Sequence, residues 1–189
     1  MKNNIRNMYK DKIIGSDGIL NAISRGWITI DDAVEIVGDA NAADIIKSAK
    51  LNEISKACNE TIVHGIDLEL GEEIVHFNLS IEDQSNINNL FRVVELGGTE
   101  YPYQADGGIC RIYTAAEIAQ IYLAAQSMIT YQTTYHNTLK AYIQSLDDAE
   151  TISAVQYGMV LPDAYMAEMQ AKLAVAQEQM NAIVAKLES

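Results

Sequence analysis

Proline, cysteine, histidine and positive charge are all scarce in this sequence, and each scarcity excludes something. Two prolines in 189 residues, Pro102 and Pro162, leave little to interrupt long helices. Two cysteines, Cys58 and Cys110, are too few for a disulfide framework; two buried free thiols are expected, as suits assembly in a reducing cytoplasm. Lys and Arg number 13 against 26 Asp and Glu, for a formal net charge of -13. Phosphate binding needs a basic face, and anionic membrane surfaces attract basic segments. Neither nucleic acid nor membrane is therefore an expected partner. No apolar run reaches membrane-spanning length, and MKNNIRNMYK at the start lacks the apolar core of a signal peptide. The expectation is a soluble chain made in the cytoplasm.

The scarcity extends to chemistry. His64, His76 and His136 are the only histidines, and no two fall at i, i+4. None has a second histidine or cysteine at metal-finger spacing. Gly97-Gly98 and Gly107-Gly108 bracket a loop but lack the lysine of a phosphate loop. The adjacent carboxylates Asp31-Asp32, Glu72-Glu73 and Asp147-Asp148 read as helix starts and turns rather than an acid/base pair. No nucleophile has a base and an orienting group beside it. No catalytic, cofactor-binding or metal-ligating residue is expected, and no cofactor.

Helix-forming sequence fills most of the chain. Its organising stretch is Ile109–Leu146. A short strand, Ile109–Tyr113, meets Thr114, an N-cap with Glu117 in the capping-box position. Ile118, Tyr122, Ala125, Ile129, Gln132, His136, Leu139, Ile143 and Leu146 then follow at spacings of three and four, one helical stripe. Run unbroken, such a helix is roughly 48 Å long at about 1.5 Å per residue. The threonines and tyrosines of Thr130–Asn137 lower helix propensity, so a kink is expected there if the molecule is not extended.

Before this stretch, residues 1–15 read as a mobile or partner-dependent basic arm carrying Lys2, Arg6, Lys10 and Lys12. Short helices are expected at Gly18–Arg25, stopped by Gly26, and at Ile30–Val37, capped by Thr29 and ended by Gly38. A third helix spans Asn41–His64. GIDLELGEEIVHFNLS alternates as a β-hairpin, with Val75, Phe77 and Leu79 on the apolar face and His76 towards solvent. Ser80 caps a helix over Ile81–Leu96, with Asp83 in the reciprocal position. The loop GGTEYPYQADGG delivers the chain to the Ile109–Tyr113 strand, which is expected to join the hairpin as a third strand.

After a short helix at Glu150–Tyr157, Pro162-Asp163 opens the last one. Met166, Met169, Leu173, Ala176, Met180, Ile183 and Leu187 make three heptads of apolar seam. Two destinations remain open: this chain's own long helix, or a coiled coil between subunits. Ten tyrosines, five of them on or near the long helix, suit a protein interface. The residues expected to meet partners are Trp27, Ile28, Tyr131, Tyr135, Met166, Met169, Leu173, Met180, Ile183 and Leu187. The fold class is α+β, mainly helical: a small antiparallel three-stranded sheet covered by helices, with long C-terminal helices. Three stretches organise it: short docking helices (1–40), a central α+β domain with the long helix (41–160), and the heptad helix (161–189).

Two motif sets carry a family resemblance. SRGWITIDDAVEIVGD, with Gly26, Trp27, Ile28, Thr29, Asp31, Asp32, Ile36 and Gly38, resembles the end of short phage proteins of the XkdX type. From Asn52 to about Pro162 the chain resembles an uncharacterised domain common in phage tail-fibre and baseplate genes. Glu53–Cys58, Gly65-Ile66-Asp67, His76–Ile87, Tyr101–Gly108, Cys110–Ile118, Ile129–Ile143 and Tyr157–Pro162 carry that likeness. The resemblance implies a non-enzymatic structural component of a phage tail or phage-like contractile particle, located in the virion tail. Its partners would be other tail or baseplate proteins, and it would self-associate as a homo-oligomer, with a trimer favoured by analogy. The alternative is a tail-fibre assembly chaperone that leaves the finished particle; a third reading is an enzyme acting on cell-surface glycan.

Overall fold

The computed structural model describes residues 1–187, apart from the side chains of residues 39–41 and 187. In chain order its elements are α1 (Lys2–Lys10), α2 (Ser16–Ser24), α3 (Ile30–Val37), α4 (Asp39–His64), β1 (Ile66–Leu70), β2 (Glu73–Phe77), α5 (Ile81–Glu95), β3 (Glu100–Gln104), β4 (Cys110–Thr114), α6 (Ala115–Ser145), α7 (Ala149–Ala154) and α8 (Asp163–Leu187). Two compact units result. One joins Met1–Ala57 to His136–Met166; the other joins Cys58–Tyr135 to the stretch from Ala167 onward.

The first unit is wholly helical. Thr29 caps α3 with a complete capping box: its hydroxyl accepts from the Asp32 amide and the Asp32 carboxylate accepts from the Thr29 amide, both at 3.1 Å. Ile19, Ala33, Ile46, Ile54, Leu139, Ile143 and Ile152 are buried in it. The expected mobile arm is instead α1, docked by burial of Ile5 and by ion pairs from Lys2 to Asp32 (2.6 Å) and from Lys2 and Arg6 to Glu35. Its partners lie some thirty residues further along the chain, so local sequence gives no sign of them. Lys47 Nζ reaches the Gln144 carbonyl at 3.3 Å and ties α4 to the end of α6.

The second unit holds two hairpins rather than one three-stranded sheet. β1 pairs with β2, and β3 pairs with β4, both antiparallel. β3 arises where a loop was expected. Tyr101 lies opposite Tyr113 and Tyr103 opposite Arg111. The Ala115 amide donates to the Thr99 carbonyl at 2.8 Å, which puts the hydrogen-bonded pairs on the odd-numbered residues. Pro102, opposite Ile112, therefore sits at a non-bonded position where its missing N–H breaks no ladder bond. The hairpins meet through the segment after β3: the Asp106 amide donates to the His76 carbonyl at 3.2 Å, and the Asp106 carboxylate accepts from the Asn78 amide. That joint takes the place of the expected third strand.

The hairpin alternation holds. Phe77 and Leu79 are buried, Asp67 and Glu69 exposed. Phe77 stacks parallel to Tyr103 and edge-on to Tyr113, with centroids 6.4 and 6.2 Å apart. Phe91 of α5 stacks on Tyr122 of α6 at 3.9 Å. Ser80 and Asp83 make the capping box of α5, and Thr114 and Glu117 make that of α6.

α6 runs unbroken through Thr130–Asn137. Every residue of its apolar stripe is buried or half-buried. Burial of Tyr135, Thr138 and Leu139 outweighs the weak local propensity. Thr133 also satisfies its hydroxyl on the Ile129 carbonyl, 2.7 Å away on the preceding turn.

Candidate interaction surface

Where the pleat turns side chains away from the core, the hairpins of the second unit leave apolar groups in water. Ile74 of β2 is 72% exposed, Ile112 of β4 57%, and Ile109 at the turn before it 85%. Isoleucine is among the residue types most often buried. Here three of them stand open to solvent on an acidic chain. Ile81 and Leu96, at the two ends of α5, are similarly open. Exposed carboxylates lie along the same hairpins: Asp67, Glu69, Glu72, Glu73 and Glu100. Arg111 lies over the Tyr113 ring, 4.3 Å from its centroid, with Glu73 and Glu117 at 3.7 and 3.6 Å. Those distances exceed hydrogen-bonding range, and Arg111 Nη2 is buried without a hydrogen-bond partner.

Cys110 lies on the solvent side of β4 and is exposed, whereas Cys58 is buried. The expectation of two buried thiols therefore fails at Cys110. It belongs to a two-stranded hairpin with no layer over its outer face.

Two histidines far apart in sequence come together. The His64 and His76 rings have centroids 5.5 Å apart. His76 Nδ1 lies 2.7 Å from Asp67 Oδ1, and Nε2 lies 3.2 Å from Asn78 Oδ1. The Asp67 hydrogen bond raises the His76 pKa above its ordinary value against the opposing effect of burial. Both ring nitrogens are engaged, so His76 fixes the hairpin rather than offering a free base. Among the described residues no group of three or more His, Cys, Asp and Glu is arranged to hold a metal ion.

The ten expected contact residues divide by exposure. Trp27 is 46% exposed, with the Arg25 guanidinium 5.0 Å from its ring centroid, and Tyr131 is 48% exposed. Ile28, Tyr135 and Met169 are buried in the chain's own core and do not present themselves to a partner. Met166, Leu173, Met180 and Ile183 are half-buried. The Leu187 side chain lies outside the described residues. Met180 Sδ accepts from the Ser127 hydroxyl at 3.2 Å, so the heptad seam turns towards α6 of its own chain at that point. The exposed isoleucines of the hairpins were not among the ten. The signal available for them was the alternation itself, which puts Ile74 and Ile112 opposite the core face.

A family model for a domain of unknown function, DUF4376, matches residues 45–158, more than half of the chain. The chain belongs to the DUF4376 family. The DUF4376 match takes in both hairpins, α5, α6 and α7. It leaves outside α1 to α3, with Trp27, and α8 with its seam. No curated protein and no solved structure matches the chain. No helix among the described residues is long and apolar enough to cross a membrane.

Proposed function

We propose that this DUF4376 protein is a structural, non-enzymatic component of a phage tail or phage-like contractile particle, a baseplate or tail-fibre attachment subunit working through protein–protein contacts. The observation that carries the contact-making part is the set of open isoleucines, Ile74, Ile109 and Ile112, on the hairpins of a chain of net charge -13. Surfaces of that kind are stable in water when another polypeptide covers them. The particle assignment rests on the motif resemblance of Gly26–Gly38 and of the stretch from Asn52 to about Pro162. On this reading the protein is made in the bacterial cytoplasm and ends in the particle tail. It docks to other tail or baseplate proteins and self-associates, with a trimer favoured.

Mass spectrometry of purified particles tests the assignment. The expected result is peptides of this chain in intact particles at a fixed ratio to the other tail proteins. Absence from finished particles, with co-purification of a fibre polypeptide from the producing cells, would replace this reading by that of an assembly chaperone. Absence from both would end both readings.

A further inference from the structure

A groove of about 390 Å³ runs between α5 and β3, lined by Asn86, Asn89, Leu90, Val93, Tyr101 and Tyr103. Its volume falls in the range of small-molecule sites. Its chemistry is uniform: two carboxamides, two phenol rings and an aliphatic floor, with no lysine, arginine or carboxylate.

The asparagines are the unusual feature. Asparagine is a poor residue for a helix interior, yet α5 carries Asn86, Asn88 and Asn89 there. Asn88 has a structural use, since its Oδ1 accepts from Gln126 Nε2 at 3.3 Å. Asn86 and Asn89 are exposed, and neither side chain makes a hydrogen bond within the protein among the described residues. Three apart on one helix face, they aim two donor–acceptor amides into the same groove. Among the described residues their amides are spent on no partner in the protein and stay available to a ligand.

The occupant follows from the donors and from what the groove lacks. No cation lines it and the chain is strongly acidic, so an anionic ligand is disfavoured. An extended peptide adding to the open edge of β3 would need the amide of residue 102, which is proline. A neutral polyhydroxyl ring suits both halves of the site. Its hydroxyls match the amides, and its C–H face matches the tyrosine rings. Burial pushes the Tyr103 phenol up to about 12, with Asp83 and Asp106 adding to the effect, so it stays a neutral O–H donor at all working pH values.

We propose that the α5–β3 groove binds a neutral hexopyranoside of one or two rings, held by the Asn86 and Asn89 amides against Tyr101 and Tyr103. The groove is open, so it buries little of the ring and the complex is weak. The inference is independent of the assembly reading, because the groove contains none of the open isoleucines on which that reading rests.

Saturation-transfer NMR on the full chain tests it, with maltose, cellobiose, lactose and N,N′-diacetylchitobiose as probes. The expected result is transfer to the ring C–H protons of at least one of them, weakened tenfold or more by Tyr101→Ala and by the double variant Asn86→Ala/Asn89→Ala. Alanine is the better helix former, so the double variant keeps or raises the thermal midpoint, and its loss of signal reports lost contacts rather than unfolding. The proposal is overturned by no transfer to any of the four sugars. It is equally overturned by transfer that either variant leaves unchanged.

Discussion

Replacing Gly65 by alanine should damage this protein more than the same change at Gly71, although both glycines have positive φ. Gly65 is the hinge between α4 and β1, with φ at +89°, and Gly71 turns the first hairpin at +69°. Around Gly71 nothing lies within 4 Å of where a Cβ would stand. At Gly65 that Cβ would fall 2.0 Å from the Phe77 carbonyl oxygen and 2.7 Å from the Asn78 Cα. Both atoms belong to backbone, so neither can swing aside. Gly71→Ala should cost only the left-handed conformation, about 1–2 kcal/mol. Gly65→Ala adds an overpacking cost of about 1–3 kcal/mol. It also pushes on the segment where Phe77 enters the aromatic cluster and Asn78 meets Asp106. With an m-value of about 2 kcal/mol/M in urea, the two midpoints should fall by about 0.5–1 M and about 1–2.5 M respectively. Urea titrations followed by far-UV circular dichroism on the two variants measure the difference directly. Equal midpoints would refute the placement of the α4–β1 hinge against the end of β2.

Other outcomes follow from the same geometry. His76 and His136 should titrate on opposite sides of the ordinary histidine value in an NMR pH series. His76 is raised by its Asp67 hydrogen bond, and His136 is lowered by burial and then by Lys140. The signs differ accordingly. The His76 contribution, at most ~1 kcal/mol for so open a pair, is fully present below about pH 6.5 and fades as pH rises through its higher folded value. The His136 contribution opposes folding as pH falls below about 6.5. Asp67→Asn should bring the His76 titration back towards the ordinary value, and an unmoved titration would contradict the pairing. Glu35→Lys removes the acceptor shared by Lys2 and Arg6 and places a like charge beside them, so trypsin should cut after Arg6 faster than in the parent; an unchanged cutting rate would mean that Ile5 and the Lys2–Asp32 pair hold α1 without Glu35. With a thiol reagent, Cys110 should react in the native protein and Cys58 only after unfolding; two fast thiols would contradict the burial of Cys58.

What could be read from sequence was local. The capping boxes of Ser80 with Asp83 and Thr114 with Glu117, and the Thr29 cap, each link a residue to one three positions on, and all form; at Thr29 the structure adds the reciprocal bond from Asp32. The stripe of α6 and the alternation of the first hairpin depend only on periodicity, and both hold. What escaped depends on distant partners. α1 is fixed by Asp32 and Glu35. β3 hid behind Pro102, whose tolerance depends on a register set by Thr99 and Ala115. The joining of the hairpins rests on Asp106 meeting His76 and Asn78 across the intervening helix and turns. The exposed isoleucines were legible as strand residues, but their exposure required knowing that, among the described residues, the outer faces stay open at Ile74 and Ile112. The Asn86–Asn89 groove needed β3 to exist before its tyrosine wall could be placed.

Light scattering of the purified chain, beside the double variant Ile109→Ser/Ile112→Ser, tests most directly whether the open isoleucines hold polypeptides together. A trimer of three 20.8 kDa chains, about 62 kDa, is expected for the parent, with dissociation in the variant. A parent that stays at 20.8 kDa at high concentration, indistinguishable from the variant, would contradict it.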